Sequence, residues 1–463
     1  MSKDPKSLNE DNHFFNKNYI VNLFLEGINA VRPKKVLPKF IKVLKNKNLV
    51  FSNLDINNEN IERILPICIG KASVEMAKTY NQIIGKSKKI SIESLKGILV
   101  ANEENFRDVS GFHCFISGHP IPNQNGLIAS KFIRETIFDL GEKDLILLML
   151  SGGGSAMLPD PPDGITLEEK IIVNQRLLEC GANIKEINAV RKHLSKLKGG
   201  NFLKYSFPAK TYSLIISDVV GDDLSSISSG LTAPDPFKFS DVIKICSEYK
   251  ILDKLPNSVK KYFDRGLNDK NLETPKPKNK IFKNCENKII ASNNLSLDAI
   301  KNYFKSSNNV LDKKINCEIW KRNIEGDVKD IALKFVNFIK SNNLTKKKIF
   351  LSGGETTVKI SGTGKGGRNQ ELALYFSVFM KDLLPNQRYL FLSGGTDGRD
   401  GPTDSAGGIV SHKTIDLCLQ KNIDIEQELK NNNSYSVLKK IDSHIIIQGT
   451  NTNVADIQIL ILI

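Results

Sequence analysis

Three apolar runs in this chain each end in the same polar turn. Leu148 to Leu150 leads into Ser151-Gly152-Gly153-Gly154-Ser155, Ile349 to Leu351 into Ser352-Gly353-Gly354, and Leu390 to Leu392 into Ser393-Gly394-Gly395. Glycine lets backbone N–H groups approach an anion closely, and serine adds a hydroxyl donor. In open α/β sheets, ligands lie beyond the carboxyl ends of strands. One such turn is weak evidence, but three in one chain suggest sites for phosphate and carboxylate groups.

Cations and acids stand near similar junctions. Lys71 follows Ile69-Gly70 where a strand-like run meets a helical one. A lysine in the first helical turn opposes the macrodipole unless an anion shares the site. It reads either as a phosphate contact or as a solvated lysine on a tight glycine turn. No Walker A spacing is present. Asp218, Asp222 and Asp223 lie within six residues after the run Tyr212 to Ile216 and offer hard oxygen ligands for Mg²⁺. Asp218 is the choice for the carboxylate nearest metal or substrate hydroxyl. Asp222 and Asp223 divide evenly between ligation and capping. Arg368 ends the glycine-rich stretch Gly362 to Gly367, where a planar guanidinium can clamp phosphate or carboxylate. Asp397 reads more readily as a turn residue than as a metal or ribose contact. His119, between Gly118 and Pro120, reads as turn-packing. The basic run Arg191, Lys192, His193, Lys196 and Lys198 lines a cleft or forms a solvated face, and the residues alone do not choose.

The intervening pattern says what positions these groups. Ile64 to Ile69, Gly97 to Val100, Leu145 to Leu150 and Tyr212 to Ile216 read as strands. Val74 to Ile84, Leu127 to Phe138 and Leu167 to Cys180 read as helices, the last opened by a capping box of Thr166 and Glu169. Such alternation predicts an α/β fold with a mostly parallel sheet covered by helices. At 463 residues two domains are the default. The expected division is a disordered tail over 1–14, an N-terminal domain over 15–252, a Lys-, Asn- and Pro-rich linker over 253–288 and a C-terminal domain over 289–463. Asn431-Asn432-Asn433 reads as a loop tip.

Composition narrows the function classes. No apolar run approaches the roughly 18 residues of a membrane span, and the polar, acid-containing start has no signal-peptide pattern, so a cytoplasmic protein off the membrane is expected. The net charge of +15 invites a nucleic-acid reading, but the lysines are dispersed without an arginine-rich arm or aromatic interleaving, so no nucleic-acid partner is expected. The excess would still attract anionic substrates. Seven scattered cysteines without a Cys-x-x-Cys pair point to reduced thiols rather than disulfides or zinc.

Taken together the motifs resemble the glycerate 2-kinases whose C-terminal part is called the MOFRL domain, some of which are named hydroxypyruvate reductases. The matching segments include Gly70-Lys71-Ala72, Gly118-His119-Pro120, Leu150 to Ala156, Glu186 to Gly200, Ser217 to Asp223, Leu351 to Val358, Gly364 to Ala373, Gly395 to Gly407 and Thr452 to Asp456, in family order. The resemblance implies an N-terminal Rossmann-like domain with helices on both faces of its sheet and a smaller C-terminal α/β domain, with the active site in a cleft between them. It also implies ATP and Mg²⁺, D-glycerate as substrate and 2-phosphoglycerate as product. The family's proposed active-site lysine and arginine fall on Lys71 and Arg368. Catalysis is then expected from Lys71, Arg368 and Asp218. Anion binding is expected from Ser151 to Ser155, Gly353, Gly354, Gly394 and Gly395, and metal binding from Asp218 and Asp222. Leu231, Ser411 and Gln448 depart from the family pattern at loops. An NAD(P)H-dependent reductase is the alternative, although the single G-x-G-x-x-G, at Gly362, lacks a βαβ context. A non-catalytic nucleotide- or sugar-acid-binding protein is a second rival. Oligomeric state is open, with a homodimer as one expectation.

Overall fold

The computed structural model describes residues 16–43, 49–52, 61–85, 92–306, 316–342, 344, 348–447 and 449–462. The tail expected to be disordered and Gln448 lie outside them. The chain forms two compact units. One spans Pro33–Ile290. The other combines Ala291–Ile463 with the residues up to Arg32, so helix α1 (Lys17–Ala30) belongs with the C-terminal half rather than with the domain that follows it in sequence.

The unit of Pro33–Ile290 is built on strands β1 (Arg63–Ile69), β2 (Gly97–Asn102), β3 (Phe112–Ser117), β4 (Asp144–Leu150), β5 (Lys210–Ile216) and β6 (Cys285–Ala291). Their spatial order is β3-β2-β1-β4-β5-β6, the strand order of a Rossmann sheet. The pairs β1–β2, β2–β3, β1–β4 and β4–β5 are all parallel. Every residue of β4 is buried, as a central parallel strand requires when helices cover both faces. Leu65, Ile67, Ile98, Val100, Ile146 and Leu148 pack with Ala129, Ile133 and Ile137 of α3 (Gln124–Phe138), while α2 (Ser73–Ile84) lies against β1 and β2.

A second cluster joins α4 (Leu167–Glu179), α5 (Ile184–His193), α6 (Phe239–Glu248) and α7 (Asn257–Asn268) through Val173, Leu177, Val190, Val242, Val259 and Phe263. The expected capping box is present: Glu169 N–H donates to Thr166 Oγ1 at 3.1 Å, and Thr166 N–H to the Glu169 carboxylate at 2.9 Å. The stretch over 253–288 is therefore not a linker. It contributes α7 and β6, and its polar composition reflects a helix that buries only Val259, Phe263 and Gly266. It also supplies Glu273, whose carboxylate meets His193 Nε2 at 2.8 Å. Burial works against the Glu273 charge, but His193 and Lys276 outweigh it and hold the acid at about 2.

The second unit has strands β7 (Asn316–Asp327), β8 (Lys348–Thr357), β9 (Tyr389–Gly395), β10 (Gly407–Ser411), β11 (His444–Ile445) and β12 (Asp456–Leu462). They lie in the order β7-β8-β12-β9-β10-β11. Only β7–β8 is parallel; the other pairings are antiparallel. On one face, Ile20, Phe24 and Ile28 of α1 and Leu297 and Ile300 of α8 (Asn293–Ser306) cover Leu351, Leu392 and Ile459. Gly27 permits the close crossing of α1 over α8, since a Cβ there would stand 2.8 Å from the Ile300 side chain. On the other face, α9 (Val328–Ser341) and α10 (Arg368–Leu383) cover Phe350, Phe391 and Leu460. Among the described residues no helix is long and apolar enough to cross a membrane.

Candidate active site

In the first unit the reversal of strand order falls between β1 and β4, and both of these strands end in glycine turns. Gly70 takes φ +112°, and a Cβ there would sit 2.4 Å from both Ser151 O and Ser151 Oγ. The turns are bonded to each other. Lys71 N–H donates to Gly152 O at 2.9 Å, Ala72 N–H to Ser151 Oγ at 3.0 Å, and Ser151 N–H to Ile69 O at 2.9 Å. Ser151 Oγ–H donates in turn to Ile69 O at 3.2 Å. The Ser151 hydroxyl, expected to face an anion, is instead engaged with main chain, and its part is to lock Lys71 beside the glycine run. Gly153 (φ +90°) packs on His119, which answers the turn-packing reading of that histidine, and Gly154 packs on Ser228. Ser155 Oγ pairs with Ser229 Oγ at 2.7 Å.

Asp218 is half-buried just past the end of β5, on the same edge of the sheet as Lys71 and Ser151. Asp223 is a cap: its carboxylate accepts from Ser225 N–H and Ser226 Oγ–H at 3.1 and 2.7 Å. Asp222 is half-buried with φ 59°. Among the described residues no group of three or more His, Cys, Asp or Glu is arranged to hold a metal ion. The donor chemistry fits a cation taking one or two carboxylates from Asp218 and Asp222 and its remaining oxygens from phosphate and water, as Mg²⁺ commonly does.

The basic run at and beyond the end of α5 is not a solvated face. Lys192, His193 and Lys198 are each 2% exposed. Lys192 approaches Asp235 at 3.5 Å and donates to Ser225 Oγ. The helix stops at His193, and Ser195 Oγ accepts from Leu197 and Lys198 N–H where the chain turns.

In the second unit Arg368 opens α10 and is held by two acids. Nε and Nη2 contact the two carboxylate oxygens of Asp456 at 2.6 and 3.0 Å, and Nη1 contacts Glu355 Oε1 at 2.9 Å. Burial opposes the guanidinium charge, and Asp456 more than offsets it. Asp456 is fully buried and in register with both Gly354 and Gly395. In the sequence it has a place in a matching segment but no site role; the available signal was a lone acid opening a strand that is apolar but for Gln458. Gly353, Gly354, Gly394 and Gly395 lie inside strands rather than in open turns. Gly353 makes room for Asn293, Gly354 for the backbone of Ile324, Gly394 for the Phe24 ring and Gly395 for Arg399 O. Close packing accounts for these four glycines without any anion.

The loop before Arg368 is clamped by the asparagine run that had looked like a loop tip. Asn431 Oδ1 accepts from Thr363 N–H, Asn432 Oδ1 from Ser361 and Gly362 N–H, and Asn433 Oδ1 from Lys365 N–H, at 2.8–3.2 Å. Asp400 caps α10 by accepting from Asn369 and Gln370 N–H at 3.1 and 2.9 Å. The expected turn role of Asp397 is present in its bond from Arg399 N–H at 3.1 Å. Arg368, the glycine loop and Glu371 border a cavity of about 450 Å³.

Glu371 is 3% exposed, and burial together with Asp400 lifts its pKa to about 7, against one hydrogen bond from Asn432 Nδ2 at 3.0 Å. A carboxyl raised in the folded state binds a proton that the unfolded chain has already lost. Its stabilising contribution is thus complete below about 4.5 and lost as pH rises through about 7. Glu371→Gln is expected to raise the melting temperature more at pH 8 than at pH 5, as thermal melts at the two values will show. An equal or larger gain at pH 5 would refute this reading.

Two family models match successive parts of the chain, the first of them beginning within α1. A family model described as "Domain of unknown function (DUF4147)" matches residues 19–264, and one described as "MOFRL family" matches residues 348–456. A protein of Thermotoga maritima named D-glycerate 2-kinase is 33% identical over 467 residues, covering 99% of this chain and 100% of the relative. A glycerate 2-kinase of Pyrococcus horikoshii is 36% identical over 444 residues, covering 94% and 95% respectively. The crystal structure of a T. maritima glycerate kinase matches with a TM-score of 0.80 at 33% identity, over 99% of this chain and 100% of that one. With both matched segments in order and relatives of this identity along nearly the whole length, the chain belongs to the glycerate 2-kinase family of DUF4147 and MOFRL proteins.

Proposed function

We propose that this chain transfers the γ-phosphoryl group of ATP to the 2-hydroxyl of D-glycerate, giving 2-phospho-D-glycerate and ADP. The observation that supports it most is the junction at the reversal of strand order. There Gly70 and Ser151 lock Lys71 beside a glycine run whose backbone suits an anion. Phosphoryl transfer needs little covalent help from the protein; positioning and charge stabilisation provide most of the rate. Lys71 and Arg368 stabilise the charge on the transferring group. The backbone of Gly152, Gly153 and Gly154 faces phosphate or carboxylate oxygens. Asp218 orients the 2-hydroxyl and accepts its proton. Asp218 and Asp222 would hold Mg²⁺, which would offset phosphate charge there.

The reductase alternative requires a dinucleotide fingerprint in the first βα turn of the Rossmann-ordered sheet. That turn reads Ile69-Gly70-Lys71-Ala72-Ser73. The G-x-G-x-x-G at Gly362 instead follows β8, which is paired antiparallel with β12, and it opens onto an arginine already engaged by Asp456. A coupled ADP-release assay tests the proposal. ADP formation dependent on D-glycerate is expected. ADP release no greater than without the acid, or NADH oxidation with hydroxypyruvate, would overturn it.

A further inference from the structure

The first unit contains a cavity of about 270 Å³ bordered by His119, Gly153, Ser155, Lys170, Arg191 and Lys198 together with an apolar wall, and no aspartate or glutamate lines it. Its two lysines are 7% and 2% exposed. Lys170 Nζ donates to the carbonyls of Pro159 and Leu194, Lys198 Nζ to Ser155 O at 2.6 Å, and Arg191 Nε to Asn174 Oδ1 at 2.5 Å. These partners are dipoles rather than charges. Among the described residues none of the three cations has a carboxylate within ion-pair distance. The acid that acts on both lysines, Asp160, is buried and paired with Arg134 at 3.1 Å, with Lys196 also acting on it.

Buried cations without a counter-charge are unfavourable unless a ligand supplies one. Burial acts accordingly, with neighbouring cations adding to it at the lysines: Lys170 falls to about 7, and Lys198 and Arg191 lie below their ordinary values. The volume falls short of the about 300–1,000 Å³ usual for drug-sized ligands, so a small acid suits it better than a nucleoside triphosphate. A guanidinium fork matches a carboxylate bidentately. The cavity also shares Gly153 and Ser155 with the glycine run gripped by the Lys71 turn.

We propose that this cavity is the carboxylate subsite for the acceptor acid, with Arg191 holding the carboxylate and Lys170 and Lys198 supplying the surrounding charge. The identity of that acid as glycerate rests on the function proposed above.

Steady-state constants of Arg191→Gln, Arg191→Lys and Lys198→Met test the assignment, together with calorimetric titration of D-glycerate in the presence of ADP. Thermal melts establish that each variant is folded. Arg191→Gln is expected to raise KM for D-glycerate by about tenfold or more and leave KM for ATP within about twofold, with Arg191→Lys between it and wild type. At pH 8, binding to the wild type should draw protons from the buffer, because an anion restores charge to Lys170, and Lys198→Met should weaken binding. An unchanged D-glycerate KM in folded Arg191→Gln, or a selective rise in KM for ATP, would overturn the subsite. Absence of acid-dependent ADP release in the wild type would instead sink the kinase reading. Loss of calorimetric D-glycerate binding in Arg191→Gln would uphold the subsite even then.

Discussion

Arg368→Ala is expected to lower both turnover and stability, and Lys71→Ala to lower turnover. The loss of kcat should be on the order of 10² or more for each, the scale of removing a charge that acts on a transition state. The stability loss lies in what the Arg368 side chain leaves behind. Arg368 is the bidentate partner of Asp456, which is fully buried. Truncation strands that carboxylate, and breaking a buried pair from one side costs about 3–5 kcal/mol, or a fall of roughly 10 °C in melting temperature for a unit of this size. Lys71 holds its turn through a backbone N–H that alanine retains. Adding Asp456→Asn to Arg368→Ala removes the stranded charge, so the double variant should regain stability without regaining rate. ADP-release kinetics paired with thermal melts read both effects. A double variant with wild-type turnover would remove Arg368 from the mechanism and leave it a structural residue.

Gly70→Ala should be nearly as damaging through geometry alone. The position has φ +112°, a conformation that costs a non-glycine residue about 1–3 kcal/mol. In addition, the new methyl would lie 2.4 Å from two atoms of Ser151, one of them backbone, so one of the two turns has to move. The bonds from Ala72 N–H to Ser151 Oγ and from Lys71 N–H to Gly152 O are those most exposed to that movement. The expected outcome is a soluble but destabilised protein with kcat reduced at least as far as in Lys71→Ala. Displacement of a catalytic group by about 1 Å can cost on the order of a hundredfold. Wild-type kinetics in Gly70→Ala would show that the junction has no part in positioning Lys71.

These two predictions separate the features that were legible along the chain from those that were not. Near-continuous apolar runs located β1, β2, β4 and β5 to within a few residues, because a strand buried on both faces has almost no freedom in composition. The capping box at Thr166 and Glu169 was equally legible, because a cap is a local hydrogen-bond pattern four residues long. Lys71 and the glycine run after Ser151 emerged as a candidate site for the same reason: strand end, glycine and cation are neighbours in sequence.

Pairing across distance was not legible. Arg368 and Asp456 are 88 residues apart, and Asn431 to Asn433 grip backbone about 70 residues upstream. In the repeated Ser-Gly-Gly motif one composition serves two physical ends. At Gly153 glycine provides a left-handed turn, while at Gly353 and Gly394 it clears space for Asn293 and Phe24. The stretch over 253–288 resembled a linker because a helix that buries three residues looks polar in sequence. The lysines of the charge-deficient cavity could not be told from solvated ones, since burial belongs to the folded surface and not to the residue. Local chemistry and periodicity thus specified the strands, the caps and the cation beside the glycine run. Only folding decided which charges are paired, which are buried without a counter-ion, and with which half of the molecule the first helix packs. Those outcomes depend on contacts between segments distant along the chain, and their energies do not exist until the segments meet.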